Sequence, residues 1–331
     1  MQREVIGVDV GGTKILALQL GADNTIGDES RQPTPERGED VLDAIAEVAT
    51  RLGPPTAVGV GAPGLVDHAG VLQFAPNLPN IVGLPVRAGL EQRLPGVAVT
   101  VGNDATCAGW AERMMGAGQG SQDVLMVTLG TGIGGGLVSG GQLVQGGNGF
   151  AGEIGHMVVD THGPPCTCGH RGCWERFASG SGLGRLGREA AEAGQAARIV
   201  QLAGGDPVAV RGEHVTAAAT EGDAGALSVI DRFAWWVALG LANLANIFDP
   251  ECFVLGGGLA ESGGLFLEPV RTAFADLVEA GEHRPAIRIV LAQLGGRAGA
   301  VGAALLARQA ALGVDTAHLG DAPLVRDVPF A

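Results

Sequence analysis

At 331 residues, 46% of them hydrophobic, the chain is long enough for one large bilobal unit or for two domains, each with its own core. Its formal net charge is −14, from 21 basic and 35 acidic residues, and Lys14 is the only lysine. So acidic a chain is a poor partner for nucleic acid or anionic membranes, which need a concentrated positive surface; phosphate should instead be met by backbone N–H groups, helix N-termini and a metal ion.

No charged-then-apolar leader precedes residues 5–9, and glycines or polar groups interrupt every apolar run before the roughly 20 residues a bilayer crossing needs. These features place the protein in the cytoplasm. Residues 5–9 form a short β-branched run, and residues 15–20 resume it after Gly11-Gly12, which reads as strand, tight turn, strand. Residues 40–52 carry Val41, Leu42, Ile45 and Val48 at helical spacing, with Gly53-Pro54-Pro55 as the stop. Residues 57–61 are a buried strand leading into the turn Ala62-Pro63-Gly64. Residues 97–101 are another, with Asn103-Asp104 at its end and a helix over 105–115. Strand and turn signals return over 124–138, and residues 140–175 are glycine-rich and irregular. Helices are predicted over 182–193, 223–248 and 298–312, and a strand over 252–255 ends in Gly256-Gly257-Gly258. The tail, 313–331, carries no function that its sequence reveals. Strands alternating with helices indicate an α/β architecture.

The irregular stretch contains the strongest chemical signal. His156 is followed by Cys166, Cys168 and Cys173, and one imidazole with three thiolates is a usual closed tetrahedral set for zinc. Such clustering, with 5 cysteines in all, favours a metal site over a disulfide framework. Cys107 and Cys252 read as buried thiols. Glu153 and Glu175 flank the cluster, so a metal there would also aim two carboxylates. His162 and His170 are alternative ligands.

Three glycine turns complete the pattern. Gly130-x-Gly132-x-x-Gly135 matches a dinucleotide fingerprint only in letters, because a strand rather than a helix follows it. Asp9-Val10-Gly11-Gly12-Thr13-Lys14 lacks the spacing and order of a P-loop. Each of these two turns still offers converging N–H groups and a threonine hydroxyl (Thr13, Thr131), which suits phosphate. Gly257 and Gly258 could admit a base or ribose against the backbone. Any one such turn could equally be a hairpin without a ligand.

In order and spacing, Asp9-x-Gly-Gly-Thr-Lys14, Leu129-Gly-Thr-Gly-Ile-Gly-Gly-Gly136, Gly152-Glu-Ile-Gly-His156 and Cys166-x-Cys-Gly-x-x-Gly-Cys-x-Glu175 resemble the ROK family of sugar kinases and sugar-responsive repressors. The resemblance runs from about residue 5 to residue 304. It implies an actin-like ATPase (ribonuclease H-like) fold: a smaller lobe over 1–112, a larger one over 113–297 carrying a zinc loop at 156–173, and a helix at 298–312 returning to the first lobe. It further implies ATP-dependent phosphorylation of a hexose 6-hydroxyl, with glucose the first expectation and an N-acetylhexosamine or fructose the alternative.

By the same resemblance Asp104 is the general base, and Gly64, Asn77, Asn103, Glu153, His156 and Glu175 meet the sugar. His156 would bind zinc through one ring nitrogen and face the sugar with the other. Asp9 would hold the Mg²⁺ of Mg-ATP, with Gly11, Gly12, Thr13, Lys14, Thr131 and Gly132 around the phosphates. Family members of this kind are expected as homodimers or homotetramers. A repressor is disfavoured by the acidic charge and by the few residues ahead of Asp9. Without the resemblance, Asp104 reads first as the N-cap of the helix that follows it, and Glu153 and Glu175 as surface carboxylates.

Overall fold

The computed structural model describes residues 5–313 apart from 77 and 79. Two five-stranded sheets organise it. The first contains β1 (Val5–Val10), β2 (Lys14–Leu20), β3 (Ile26–Pro33), β4 (Ala57–Ala62) and β8 (Ala98–Asn103), in the order β3-β2-β1-β4-β8. Helices α1 (Gly38–Thr50) and α2 (Val86–Arg93) connect its strands, and β5 (Leu65–Val66), β6 (Leu72–Phe74) and β7 (Val82–Leu84) form a small separate sheet. β1 pairs antiparallel with β2 and parallel with β4, and β4 pairs parallel with β8. Asp9, near the end of β1, and Asn103, the last residue of β8, therefore lie at the same end of the sheet, the C-terminal end of its parallel strands.

Helix α3 (Asp104–Met115) carries the chain to the second sheet, built from β9 (Val124–Leu129), β10 (Ile133–Ser139) and β11 (Gln142–Val144), followed after an irregular segment by α4 (Glu175–Ala178), α5 (Gly180–Glu192), α6 (Ala197–Leu202), α7 (Gly212–Thr220) and α8 (Ala224–Phe248). β12 (Cys252–Gly256), α9 (Gly263–Leu277) and β13 (Arg288–Leu291) complete the lobe, with strand order β11-β10-β9-β12-β13. The chain then crosses back as α10 (Ala298–Ala311). In each sheet one antiparallel hairpin (β1–β2 and β9–β10) is joined to parallel strands, and the turn of that hairpin is one of the predicted glycine loops.

α10 sits unusually close to the first sheet because glycines stand beneath it. A Cβ on Gly7 or on Gly59 would fall 1.8 Å from a carbonyl oxygen of α10. The contact is thus backbone on backbone, and it is made by the element that joins the second lobe to the first.

α8 departs from the sequence expectation about membranes: it is 25 residues long and apolar enough to cross a bilayer, although half of its most apolar window is buried within the protein. Phe233, Val237 and Leu241 on that helix are fully buried in the core of the second lobe, alongside Leu183 of α5 and Phe266 of α9. Cys107 and Cys252 are buried, as expected. Trp236 stacks on Phe177 at 4.1 Å, while its neighbour Trp235 is exposed.

A candidate active site between the lobes

Asp9 and Asp104 face one another across a cavity of about 160 Å³ that is also lined by Thr128, Gly257, Gly295 and Gly299. A Cβ on Gly299 would touch the Asp9 carboxylate at 2.8 Å, so the start of α10 closes directly over that acid. Burial pushes the Asp9 carboxyl up to about 7; the charge of Asp104 adds to the rise and Lys14 opposes it. Burial likewise raises Asp104 to about 6, against the lowering effect of the Ala105 N–H and with a further push from Glu153. Burial also pushes up Glu153, which His156 pulls down and Glu175 pushes up again. The four acids thus form a chain of mutual repulsion, suited to a cation or to donor hydroxyls.

The local structure assigns the helix cap differently from the sequence reading. Helix α3 begins at Asp104, and its N-cap is Asn103, whose Oδ1 accepts the Thr106 N–H at 2.9 Å. Asp104 accepts the Ala105 N–H through Oδ1 at 2.8 Å. With capping done by its neighbour, the Asp104 carboxylate is held by the first turn while still lining the cavity. Asn103 also donates from Nδ2 to the Gly64 carbonyl at 3.1 Å, which brings those two residues together. Gly64 has φ +85 and would meet the Phe74 carbonyl at 2.2 Å if it bore a Cβ, so only glycine fits there. Asn77 lies outside the described residues.

Past Asp104 lies the cysteine loop. His156, Cys166, Cys168 and Cys173 bring one ligand atom each to within 4.8 Å of one another. Cys168 and Cys173 sulfurs are 3.5 Å apart, and the Cys166 sulfur is 3.7 Å from His156 Nδ1. Metal–sulfur bonds of about 2.3 Å in a tetrahedron give edges of roughly 3.8 Å, so the spacing suits a thiolate-binding ion such as zinc. His162 and His170 do not join the quartet. Without a cation, burial and the neighbouring thiols push Cys173 up to about 12; a divalent ion would reverse that preference. Because Nδ1 faces the sulfurs, Nε2 of His156 points the other way, 3.8 Å from Glu153 Oε2.

Glu175 connects this loop to the second glycine turn. Its Oε2 accepts the Ile133 N–H at 2.9 Å, and a Cβ on Gly132 would strike it at 2.3 Å. Behind the turn, the Gly180 N–H donates to the Gly130 carbonyl at 2.7 Å and the Ser181 hydroxyl to the Thr131 carbonyl at 3.0 Å, so the N-terminus of α5 braces it. In the first turn the Gly11 N–H closes on the Lys14 carbonyl at 2.9 Å, leaving Gly12, Thr13 and Lys14 exposed. Gly257 has φ +82 and packs on Leu129, where a Cβ would meet the carbonyl oxygen at 2.6 Å.

A larger cavity of about 800 Å³ opens beside Thr131 and Gly258. Arg176, Arg188 and Arg211 line it, and the sequence reading singled out none of them. They come from α4, α5 and the segment before α7, and no local pattern announces their convergence. Gly295 and Gly299, also missed, carried a weak signal in the Gly295-Gly296 doublet.

The ROK family model matches residues 5–310. A glucokinase from Streptomyces coelicolor is 41% identical over 310 residues, covering 92% of this chain and 97% of that protein. An N-acetylmannosamine kinase from Shigella boydii is 36% identical over 311 residues, 92% of this chain and 98% of that one. Among solved structures, a ROK family glucokinase from Streptomyces griseus in complex with glucose and AMPPNP superposes with a TM-score of 0.82 at 42% identity, covering 92% of this chain and 99% of that one.

Proposed function

This chain belongs to the ROK family, and on that premise we propose that it transfers the γ-phosphoryl group of ATP to the 6-hydroxyl of D-glucose. The observation that carries this reading is Asp104: a carboxylate fixed at the first turn of α3, raised to about 6, lining a cavity shared with Asp9 and the glycine-bearing turn of β12. A base with that affinity for protons is mostly ionised at neutral pH, yet close enough in strength to accept a proton as the bond forms. The sugar oxygen attacks the γ-phosphorus, its proton passes to Asp104, and the bond from phosphorus to the β-phosphate oxygen breaks to release ADP. Positioning and charge stabilisation are most of what such a transfer requires.

Asn103, Gly64, Glu153, His156 and Glu175 are assigned to the sugar, and Asn77 with them from its sequence position. Paired carboxylates suit adjacent hydroxyls, since each oxygen can accept. Gly11, Gly12, Thr13, Lys14, Thr131 and Gly132 are assigned to the phosphates, and Gly257, Gly258 and the arginine-lined cavity to the nucleoside. Asp9 would hold Mg²⁺, a hard cation that suits a half-buried carboxylate and that neutralises phosphate charge when bound. Zinc is the ion that the His156, Cys166, Cys168 and Cys173 donor set fits, and its part is to fix the His156 ring. The lobes are taken to divide near residue 112, with glucose and ATP between them.

A coupled ADP-release assay with Mg-ATP tests this against glucose, mannose, fructose, N-acetylglucosamine and N-acetylmannosamine. A dominant response to glucose is expected. The likeness to an N-acetylmannosamine kinase supplies the second reading, and preference for an N-acetylated sugar would replace glucose with it. No turnover of any sugar by folded, metal-loaded protein would overturn the kinase reading.

A further inference from the structure

Glu112 is a fully buried carboxylate, 0% exposed, on the last turn of α3. Its partners are backbone N–H groups from two distant parts of the chain. Oε2 accepts from Ala117 at 2.8 Å; Oε1 accepts from Leu294 at 2.8 Å; and the Gln293 N–H is shared, 2.9 Å from Oε1 and 3.1 Å from Oε2. Burying a carboxylate is costly unless its oxygens are met by donors, so this site holds its three N–H groups firmly. Gly116 makes room for it: a Cβ there would lie 2.0 Å from Oε2.

The chain passes between the two sheets twice, and Glu112 touches both passages. One is α3 and the turn after it, which carries the chain from β8 to β9. The other is the segment from β13 to α10, which contains Gln293 and Leu294. Immediately beyond Leu294, Gly295 and Gly296 line the cavity with Asp9 and Asp104, and Gly299 abuts the Asp9 carboxylate. The helix that presents Asp104 and the segment that closes over Asp9 are therefore fastened to each other by one side chain.

We infer that Glu112 is a positioning residue for phosphoryl transfer: it pins the segment after β13 to α3 and so fixes the Gly295–Gly299 wall relative to Asp104. The inference rests on the kinase reading for its catalytic consequence, though not for the pin itself. Geometry at a reacting centre is steeply limiting, and a displacement of about 1 Å can cost on the order of a hundredfold in rate. Of the residues assigned to the sugar, Glu153, His156 and Glu175 lie on other elements and Asn103 caps the opposite end of α3, so sugar recognition should be spared.

The test is Glu112→Gln, which keeps the shape but turns an amide NH₂ toward N–H donors. Hydrogen exchange across residues 292–298 should accelerate about tenfold or more, with no substrate present. In steady-state assays kcat should fall about tenfold and the KM for ATP should rise, while the KM for glucose stays within about twofold. Unchanged exchange at 293 and 294 would overturn the pin. A kcat within about twofold of the wild type, measured on folded protein whose exchange at 293 and 294 has accelerated, would overturn the positioning role. Should Glu112→Gln fail to fold, Glu112→Asp keeps the charge but withdraws it by one methylene, and the same exchange and kinetic split apply. Wild-type protein inactive on every sugar would defeat the kinase reading alone, and hydrogen exchange at 293 and 294 would still decide the pin.

Discussion

Asp104 and His156, the proposed base and a proposed sugar ligand, are held in place by opposite means. Asp104 follows the edge strand β8, is bound to the first turn of α3, and inherits its position from a sheet ladder and a helix cap. His156 ends a three-residue 3-10 turn in a segment with little regular structure, where isolated bridges such as Val158 with Cys173 replace a sheet. Backbone hydrogen bonds fix the first; for the second, the proposed zinc quartet of His156, Cys166, Cys168 and Cys173 would take that part. On the proposed assignment, a base must hold its place relative to the phosphate turns on both sheets, whereas a sugar ligand can be carried on a loop if something rigid anchors that loop.

The sharpest way to test this division is to remove the base. Asp104→Ala should lower kcat by about 10²–10⁴-fold while glucose still binds, because the sugar contacts on the loop are untouched. Isothermal titration beside the turnover assay separates the two effects, and near-normal turnover would end the assignment of Asp104.

The loop has one strong attachment besides its donor quartet. Trp174 is fully buried, its Nε1–H donates to the Trp236 carbonyl at 2.7 Å, and its indole lies on Gly240 of α8, where a Cβ would fall 1.9 Å away. Trp174→Ala should cost about 3–5 kcal/mol of stability by denaturant titration. A loss under about 1 kcal/mol would mean that the loop contributes little to the second core. Smaller again is the effect of stripping the ion or of Cys173→Ser. With Trp174 still docked, the lobes should stay folded while the glucose KM rises about tenfold or more, the worth of one strong hydrogen bond to the sugar. Unchanged glucose affinity in protein shown by metal analysis to be ion-free would break the link between quartet and sugar.

How much of this was legible depended on whether the chemistry was local in sequence. The quartet spans only residues 156–173, so its spacing could be read directly. The strands of both hairpins showed in their apolar runs. β3 did not, because it is a mostly exposed strand of polar residues, and α9 did not, with Pro269 inside it and glycines at its start. The cap on α3 was misassigned because the strand runs on to Asn103, so that the residue before the acid, rather than the acid, takes the capping bond. Arg176, Arg188, Arg211 and Glu112 were beyond reach for a common reason: each acquires meaning only from a partner brought in by the fold, 181 residues away for Glu112 and Gln293.

The smallest effect expected is on stability as a function of pH, and it separates the two regions once more. Asp104 rises from 3.8 to about 6 and Asp9 from 3.8 to about 7, each mainly through burial. A carboxyl that binds its proton more tightly in the folded chain favours folding fully below the unfolded value and loses that contribution as pH rises through the folded value. Asp104→Asn retains an acceptor for the Ala105 N–H but cannot ionise. Its melting temperature should therefore match that of the wild type near pH 4 and exceed it by about 2–4 °C above pH 7 in ligand-free protein. The rate of the wild type should change over the same interval in the other direction, falling along an acid limb near pH 6 as the base becomes protonated. Loop variants such as Cys173→Ser should keep that limb, since burial is the main cause of the Asp104 rise and the Glu153 charge only a lesser one. A limb that moved with the loop mutation would show that the two regions set the base together.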